Sequence, residues 1–238
     1  MNQLTPEEQK LSDEAVLFIK QHVHEIIEKF AGHILVEENF PTTIFTAGSP
    51  GAGKTEFAHR MIEAFQKNRA HVLAHIDADA IRSMLPNYTG SNSYIFQKAV
   101  SDGVSKIFDH VIRARKSCVL DGTFSHYSIA RTNIVRCIAH DRIVAIAYLC
   151  EDPIRAWQFT QAREKTEGRR ILKDKFIEQF FAAPNVVMKI KEEFGDRVNL
   201  WNVKKNYETN AYIIDAGVAK IDDSLNLQYS KEQLEALL

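Results

Sequence analysis

Apolar positions along the 238-residue chain alternate between helical spacing and short unbroken runs. Val16, Ile19, Val23, Ile26, Ile27 and Phe30 form a stripe on a charged segment, which predicts a helix over residues 5–31. Thr5 suits its N-cap, Pro6 its first position, and Glu7 and Glu8 its first turn. Such a stripe either packs the helix on the outside of the core or docks a partner protein, and both readings stand at this point. Thr42–Thr46 reads as a strand. Phe57, Met61, Ala64 and Phe65 read as one face of a helix that runs to about Gln66.

A second strand is predicted over His71–Ile76, ending in Asp77-Ala78-Asp79. Residues 84–95 form a polar, turn-rich connection. Phe96, Val100, Val104, Ile107, Phe108, Val111 and Ile112 then carry a long helix to about Arg115. Ser117–Thr123 is an apolar strand ending in an acid, and Ser128–Ala139 is a helix. The continuous run from Arg142 to Leu149 has the look of a buried parallel strand. Asp152-Pro153 opens another helix. Residues 174–194 are helical, with Pro184 marking a break or a new start. A fifth strand is expected over Arg197–Val203, a short edge strand over Ala211–Ile214, and a loose tail over Leu225–Leu238.

Strand and helix alternate with a crossover at roughly every 30 to 40 residues, which predicts an α/β fold with a mostly parallel sheet and helices on both faces. We expect one domain over 1–238: an N-terminal helical extension (1–40), a core (42–203), and a C-terminal edge strand and tail (204–238).

Composition narrows the function only slightly. With 45% hydrophobic residues the chain can bury a real core. Lys and Arg total 30 against 31 Asp and Glu, so no bulk electrostatic case exists for nucleic acid or an acidic membrane. Cys118, Cys137 and Cys150 are far apart and without metal-ligand spacing, which fits buried thiols in a reducing compartment. No signal peptide or membrane-length apolar run is evident, so a cytoplasmic location is expected.

The chemistry is concentrated after the first strand. Gly48-Ser49-Pro50-Gly51-Ala52-Gly53-Lys54-Thr55 satisfies the phosphate-loop pattern G-x-x-x-x-G-K-[ST]. Glycines let the backbone turn its N–H groups toward phosphate oxygens, and the following helix adds its positive dipole end. Lys54 would lie along the β- and γ-phosphates and the Thr55 hydroxyl would ligate Mg²⁺. Asp77 and Asp79 stand at a strand end, where open parallel sheets bind ligands, and one of them could take a proton from a hydroxyl. Either could instead cap the next short helix. Asp121 ends the third strand, in position to help hold the metal or its water. Arg155, Arg163, Lys165, Arg169, Arg170, Lys173 and Lys175 form the most basic stretch, and its planar guanidinium groups suit a transferring phosphate.

The phosphate loop, Ile76-Asp77-Ala78-Asp79 with Ile81-Arg82 and Pro86 behind it, and Leu120-Asp121-Gly122-Thr123 together resemble the zeta toxin family, from about residue 42 to 175. Those are P-loop kinases of bacterial toxin–antitoxin systems. The resemblance implies transfer of a phosphoryl group from ATP or GTP, with Mg²⁺, to the 3′-hydroxyl of UDP-N-acetylglucosamine or a related UDP-amino sugar. It makes Asp79 the general base and Arg163 and Arg169 the phosphate-stabilising arginines, with Arg170 an alternative to Arg169. It places Asp77, Arg82 and Thr123 near the substrate, and Asp121 where the family usually has Glu. The shorter side chain should make its metal contact water-mediated. The family's substrate-contacting Glu falls on Ser105 by gap-free count, with Asp102 and Asp109 one turn away. An antitoxin partner is also allowed. Two other classes remain: a P-loop kinase for another small molecule (nucleoside, dinucleotide cofactor or antibiotic), and a nucleotide-dependent module that binds a partner through residues 5–31. A relative inactivated by the changes at Asp121 and Ser105 is the last alternative.

Overall fold

A computed structural model describes residues 4–32, 38–67 and 72–238. His71 of the predicted second strand, and residues 1–3 and 33–37 of the expected extension, lie outside the described residues. The strands are β1 (Thr42–Ala47), β2 (Ala74–Asp77), β3 (Cys118–Asp121), β4 (Ile143–Leu149), β5 (Asn199–Asn206) and β6 (Ala211–Ala216). They form one sheet in the order β2-β3-β1-β4-β5-β6. The first five run parallel and β6 pairs antiparallel with β5. β4 lies inside the sheet and is buried from Val144 onward, which is why its sequence is apolar without alternation.

Helices cover both faces. α3 (Lys54–Lys67) lies on one, where Phe57 and Ala58 pack with Ile44, Val119, Ala145 and Val203. The other face carries α5 (Gln97–Arg113), α6 (Tyr127–Ala139) and α8 (Lys173–Phe194), against Phe45, Ile76, Ile146 and Leu200.

The N-terminal segment starts as expected, with a Thr5–Glu8 capping box. It is not one helix, however. α1 (Pro6–Gln21) ends at His22, whose ring stacks on Phe18 and whose Nδ1 and backbone N–H both turn back to the Phe18 carbonyl. α2 (Val23–Ile27) and one π-helical turn (Glu28–Gly32) follow. Val16, Ile19, Ile26 and Phe30 are buried in the main core, so the stripe serves packing. A Cβ on Gly103 of α5 would come within 3.0 Å of Ile81 and 3.3 Å of Ile19, so glycine leaves room for both side chains.

Two expectations about the C-terminal third fail. Pro184 neither breaks nor starts a helix: it lies inside the 22-residue α8. Proline cannot donate to the carbonyl of Phe180, and Asn226 Nδ2 does so instead, at 3.0 Å. Nor is the tail loose. Beyond α9 (Ser224–Gln228), α10 (Lys231–Leu237) opens with a Ser230–Gln233 capping box. Leu234 is fully buried among Ala156, Phe176, Ile177 and Phe180. Among the described residues no helix is long and apolar enough to cross a membrane.

Candidate active site

The phosphate loop joins β1 to α3, and its conformation depends on close backbone approach. Gly51 has φ 77°, and a Cβ there would lie 2.1 Å from the carbonyl oxygen of Ala156 in α7 (Pro153–Glu167), so only glycine fits. Ser49 and Ala52 are buried, Pro50 and Gly53 are half-buried, and the Gly48 N–H donates to the Thr123 carbonyl at 3.2 Å. Lys54 is buried and its Nζ donates to the Ser49 carbonyl at 2.6 Å. Burial, partly offset by the charge of Asp121, pushes its pKa from 10.5 down to about 8.

β3 lies beside β1, which brings Asp121 onto the loop. Asp121 Oδ1 accepts from Thr46 Oγ1 at 2.8 Å and Oδ2 from Thr55 Oγ1 at 2.6 Å. Burial, the largest influence on this carboxyl, favours the neutral acid. The Thr55 and Thr46 hydroxyls and the Lys54 charge help to outweigh it and hold the pKa below the usual carboxylate value. His75 Nε2 is 3.8 Å from Asp121 Oδ2, too far for a hydrogen bond. Ligand atoms of His75, Asp77 and Asp121 lie within 4.8 Å of one another. The Thr55 hydroxyl and the Asp121 carboxylate are hard oxygen donors beside a phosphate loop, a set that fits Mg²⁺.

Asp77 caps α4 (Ala78–Arg82), accepting from the Asp79 N–H at 2.8 Å. Desolvation first, and then the Asp79 charge, raise its pKa. Asp79 is the meeting point of three arginines. Arg82 Nη1 bonds Oδ1 and Arg169 Nη1 bonds Oδ2, while Arg163 Nη2 stands 3.6 Å from Oδ2. Arg170 points elsewhere, to Glu164 at 3.7 Å, so Arg169 is the arginine that faces Asp79. The turn that aims it is Gly168, a left-handed cap on α7 with φ 69°. Arg82 departs from its expected place against a substrate. Its side chain is only 7% exposed and is spent on Asp79 and on Gln97 Oε1 at 3.4 Å.

Thr123 Oγ1 shares a 2.9 Å hydrogen bond with Ser125. Ser105 is exposed on α5, and Asp109 is committed to Arg136 of α6. The α5 residue joined to the Asp79 network is Gln97, which a gap-free count misses. His75 and Gly90 were also missed. An apolar-flanked histidine in a strand carried no signal, whereas a glycine in the 84–95 connection could have prompted the question of what it touches. A Cβ on Gly90 would meet the Gly168 backbone at 2.8 Å, so this connection packs directly on the turn that carries Arg169.

A phosphate loop feeding α3, an acid on the adjacent strand and arginines beyond the fourth strand define a P-loop kinase fold. The chain belongs to the zeta toxin family: the Zeta toxin model matches residues 28–216. Solved structures agree on the fold. A chain of the PezAT chromosomal toxin–antitoxin system of Streptococcus pneumoniae superposes with a TM-score of 0.65 at 15% identity, over 99% of this chain and 93% of that one. The AvrRxo1-ORF1:AvrRxo1-ORF2 complex with sulphate gives 0.61 at 16% identity, over 95% and 73%. The same pair with ATP gives 0.61 at 15%, over 94% and 72%. No curated protein sequence matches the chain.

Proposed function

We propose that this protein is a kinase that moves the γ-phosphoryl group of ATP or GTP to a hydroxyl of a UDP-amino sugar such as UDP-N-acetylglucosamine. One observation carries the reading. Lys54 lies within electrostatic reach of Asp121, Asp79, Arg163 and Arg169, so the residues read as phosphate-holding and proton-accepting are close together. In this reading the loop Gly48–Thr55 holds the phosphates, and Lys54 neutralises the β- and γ-oxygens. Asp79 orients the acceptor hydroxyl and takes its proton, while Arg163 and Arg169 stabilise charge on the phosphoryl in flight. Thr55 and Asp121 would hold Mg²⁺, which would supply charge neutralisation to the phosphate oxygens. Asp77 and Thr123 would border the acceptor.

We further propose one kinase domain over 1–238, residence in the cytoplasm, and an antitoxin partner. The last is supported by the likeness to a chain from a toxin–antitoxin system. The burial of Val16, Ile19, Ile26 and Phe30 weighs against a module that works through residues 5–31. Ser105 in place of an acid keeps a different small-molecule acceptor as the second reading.

The test is transfer of label from γ-labelled ATP to UDP-N-acetylglucosamine, with Lys54→Ala and Asp79→Ala as controls. Label in the sugar nucleotide, absent from both variants, is expected. Label reaching only another metabolite of a cell extract would overturn the acceptor, and no transfer at all would overturn the kinase.

A further inference from the structure

The two oxygens of Asp79 are held in different ways. Oδ1 belongs to Arg82, three residues along the same short helix, whose buried side chain is itself tied to Gln97. Oδ2 belongs to α7 and the turn that follows it: Arg169 of the turn bonds it, and Arg163 of α7 stands 3.6 Å away. Arg169 comes from the turn that begins at Gly168, and Arg163 already has a second partner in Glu167, at 3.0 Å. Arg163 therefore has an alternative partner and Arg169 is carried by a turn, whereas Arg82 is held against Oδ1 within α4 and braced by Gln97. A carboxylate engaged at both oxygens by guanidinium groups has fewer lone pairs open to an acceptor hydroxyl. The charges of Arg163 and Arg169 also act on Lys54, so these guanidinium groups stand near the phosphate loop.

We propose that Asp79 and the γ-phosphoryl group compete for the same two guanidinium groups. A nucleoside triphosphate draws Arg169 and Arg163 from Oδ2 and in doing so uncovers the oxygen that takes the acceptor's proton, while Arg82 keeps Oδ1 fixed. The proposal rests on the kinase reading above and adds an order to it: nucleotide first, then acceptor. Arg82 is then a positioning residue for the base and has no direct part in acceptor recognition. Phosphoryl transfer itself is unchanged by this. The acceptor O–P bond forms, the β,γ-bridging O–P bond breaks, the acceptor proton passes to Asp79 Oδ2, and the nucleoside diphosphate leaves.

The competition has a signature that a base alone lacks. Asp79→Asn removes the competing charge with little change of shape. Affinity for Mg²⁺ with β,γ-imido-ATP should rise about three- to fivefold, the upper worth of a partly exposed ion pair. Affinity for Mg²⁺ with ADP, which has no γ-phosphoryl group, should stay within about twofold. Arg82→Gln loosens Oδ1 only and should keep the wild-type ratio of the two affinities. Calorimetric titration reads both ligands without any acceptor. Hydrogen exchange over residues 167–172 should be faster in Asp79→Asn than in wild type, which checks release of the segment in a folded protein.

An unchanged or weakened triphosphate affinity in Asp79→Asn, or an equal gain for ADP, overturns the competition. Failure to label a UDP-amino sugar while the affinity ratio still shifts overturns only the choice of acceptor.

Discussion

Lys54 offers two pH dependences of opposite sign from one ammonium group. Its pKa in the fold is about 8, against an ordinary 10.5, because burial strips its water and the Ser49 carbonyl and Asp121 replace only part of it. Phosphate needs the charged form. With a midpoint near 8, about nine-tenths of Lys54 is charged at pH 7 and about one-tenth at pH 9. Nucleotide affinity should therefore fall about tenfold between those pH values, or ~1.4 kcal/mol.

Folding stability without nucleotide moves the other way. The folded pKa of about 8 lies below the unfolded 10.5, so the unfolded chain binds more protons between the two. Stability consequently rises with pH across that window and is lowest, with respect to this group, below pH 8. The whole displacement corresponds to about 3 kcal/mol. Calorimetric titration of Mg²⁺–ATP at fixed ionic strength, and urea unfolding at the same pH values, read the two slopes. Lys54→Met should flatten both contributions. Affinity that does not change from pH 7 to pH 9, or that falls equally in wild type and Lys54→Met, would refute the assignment of the buried ammonium to phosphate.

Three further outcomes follow from neighbouring contacts. Asp121→Asn removes the charge that raises Lys54, so the midpoint of the affinity curve should move below about 8, read by the same titration. Gly90→Ala puts a Cβ 2.8 Å from the Gly168 backbone at φ 83°, so the turn bearing Arg169 must shift. Steady-state kinetics should show kcat reduced about tenfold or more, with a smaller change in nucleotide affinity. Leu234→Ala should destabilise the fold by about 2–5 kcal/mol in urea unfolding, where a loose tail would give no change.

What was legible in the sequence is what short spacing encodes. The phosphate loop, the apolar runs of β1, β3 and β4, the Thr5 and Asp152 caps and the paired acids after β2 all sit in local patterns. What was not legible depends on partners distant in sequence. Pro184 reads as a helix break unless Asn226, far along the chain, satisfies the Phe180 carbonyl. The tail reads as loose because one buried Leu234 in a polar helix gives little periodicity. Arg82 reads as a substrate ligand because nothing local reveals that its side chain is buried and engaged by Asp79. The choice between Arg169 and Arg170 turned on the left-handed Gly168, whose effect on direction a linear count does not carry.

The sheet order sets Asp121 against the phosphate loop. The chain leaves β1 for β2, returns to β3 beside β1, and only then crosses to β4 on the other side. β1 is thus flanked by strands reached in opposite directions, the place where open α/β sheets leave a crevice at their carboxyl ends. In this register Asp77 lies opposite Asp121, and each is the last residue of its strand. Because β3 pairs directly with β1, the Asp121 backbone stands one strand spacing from the loop, and the Asp121 carboxylate reaches the Thr55 hydroxyl in a direct 2.6 Å hydrogen bond. Thr46 then holds the other oxygen at 2.8 Å, fixing the carboxylate from beneath. A glutamate would have to fold its extra methylene back to keep both contacts, at a cost in side-chain entropy that the aspartate does not carry.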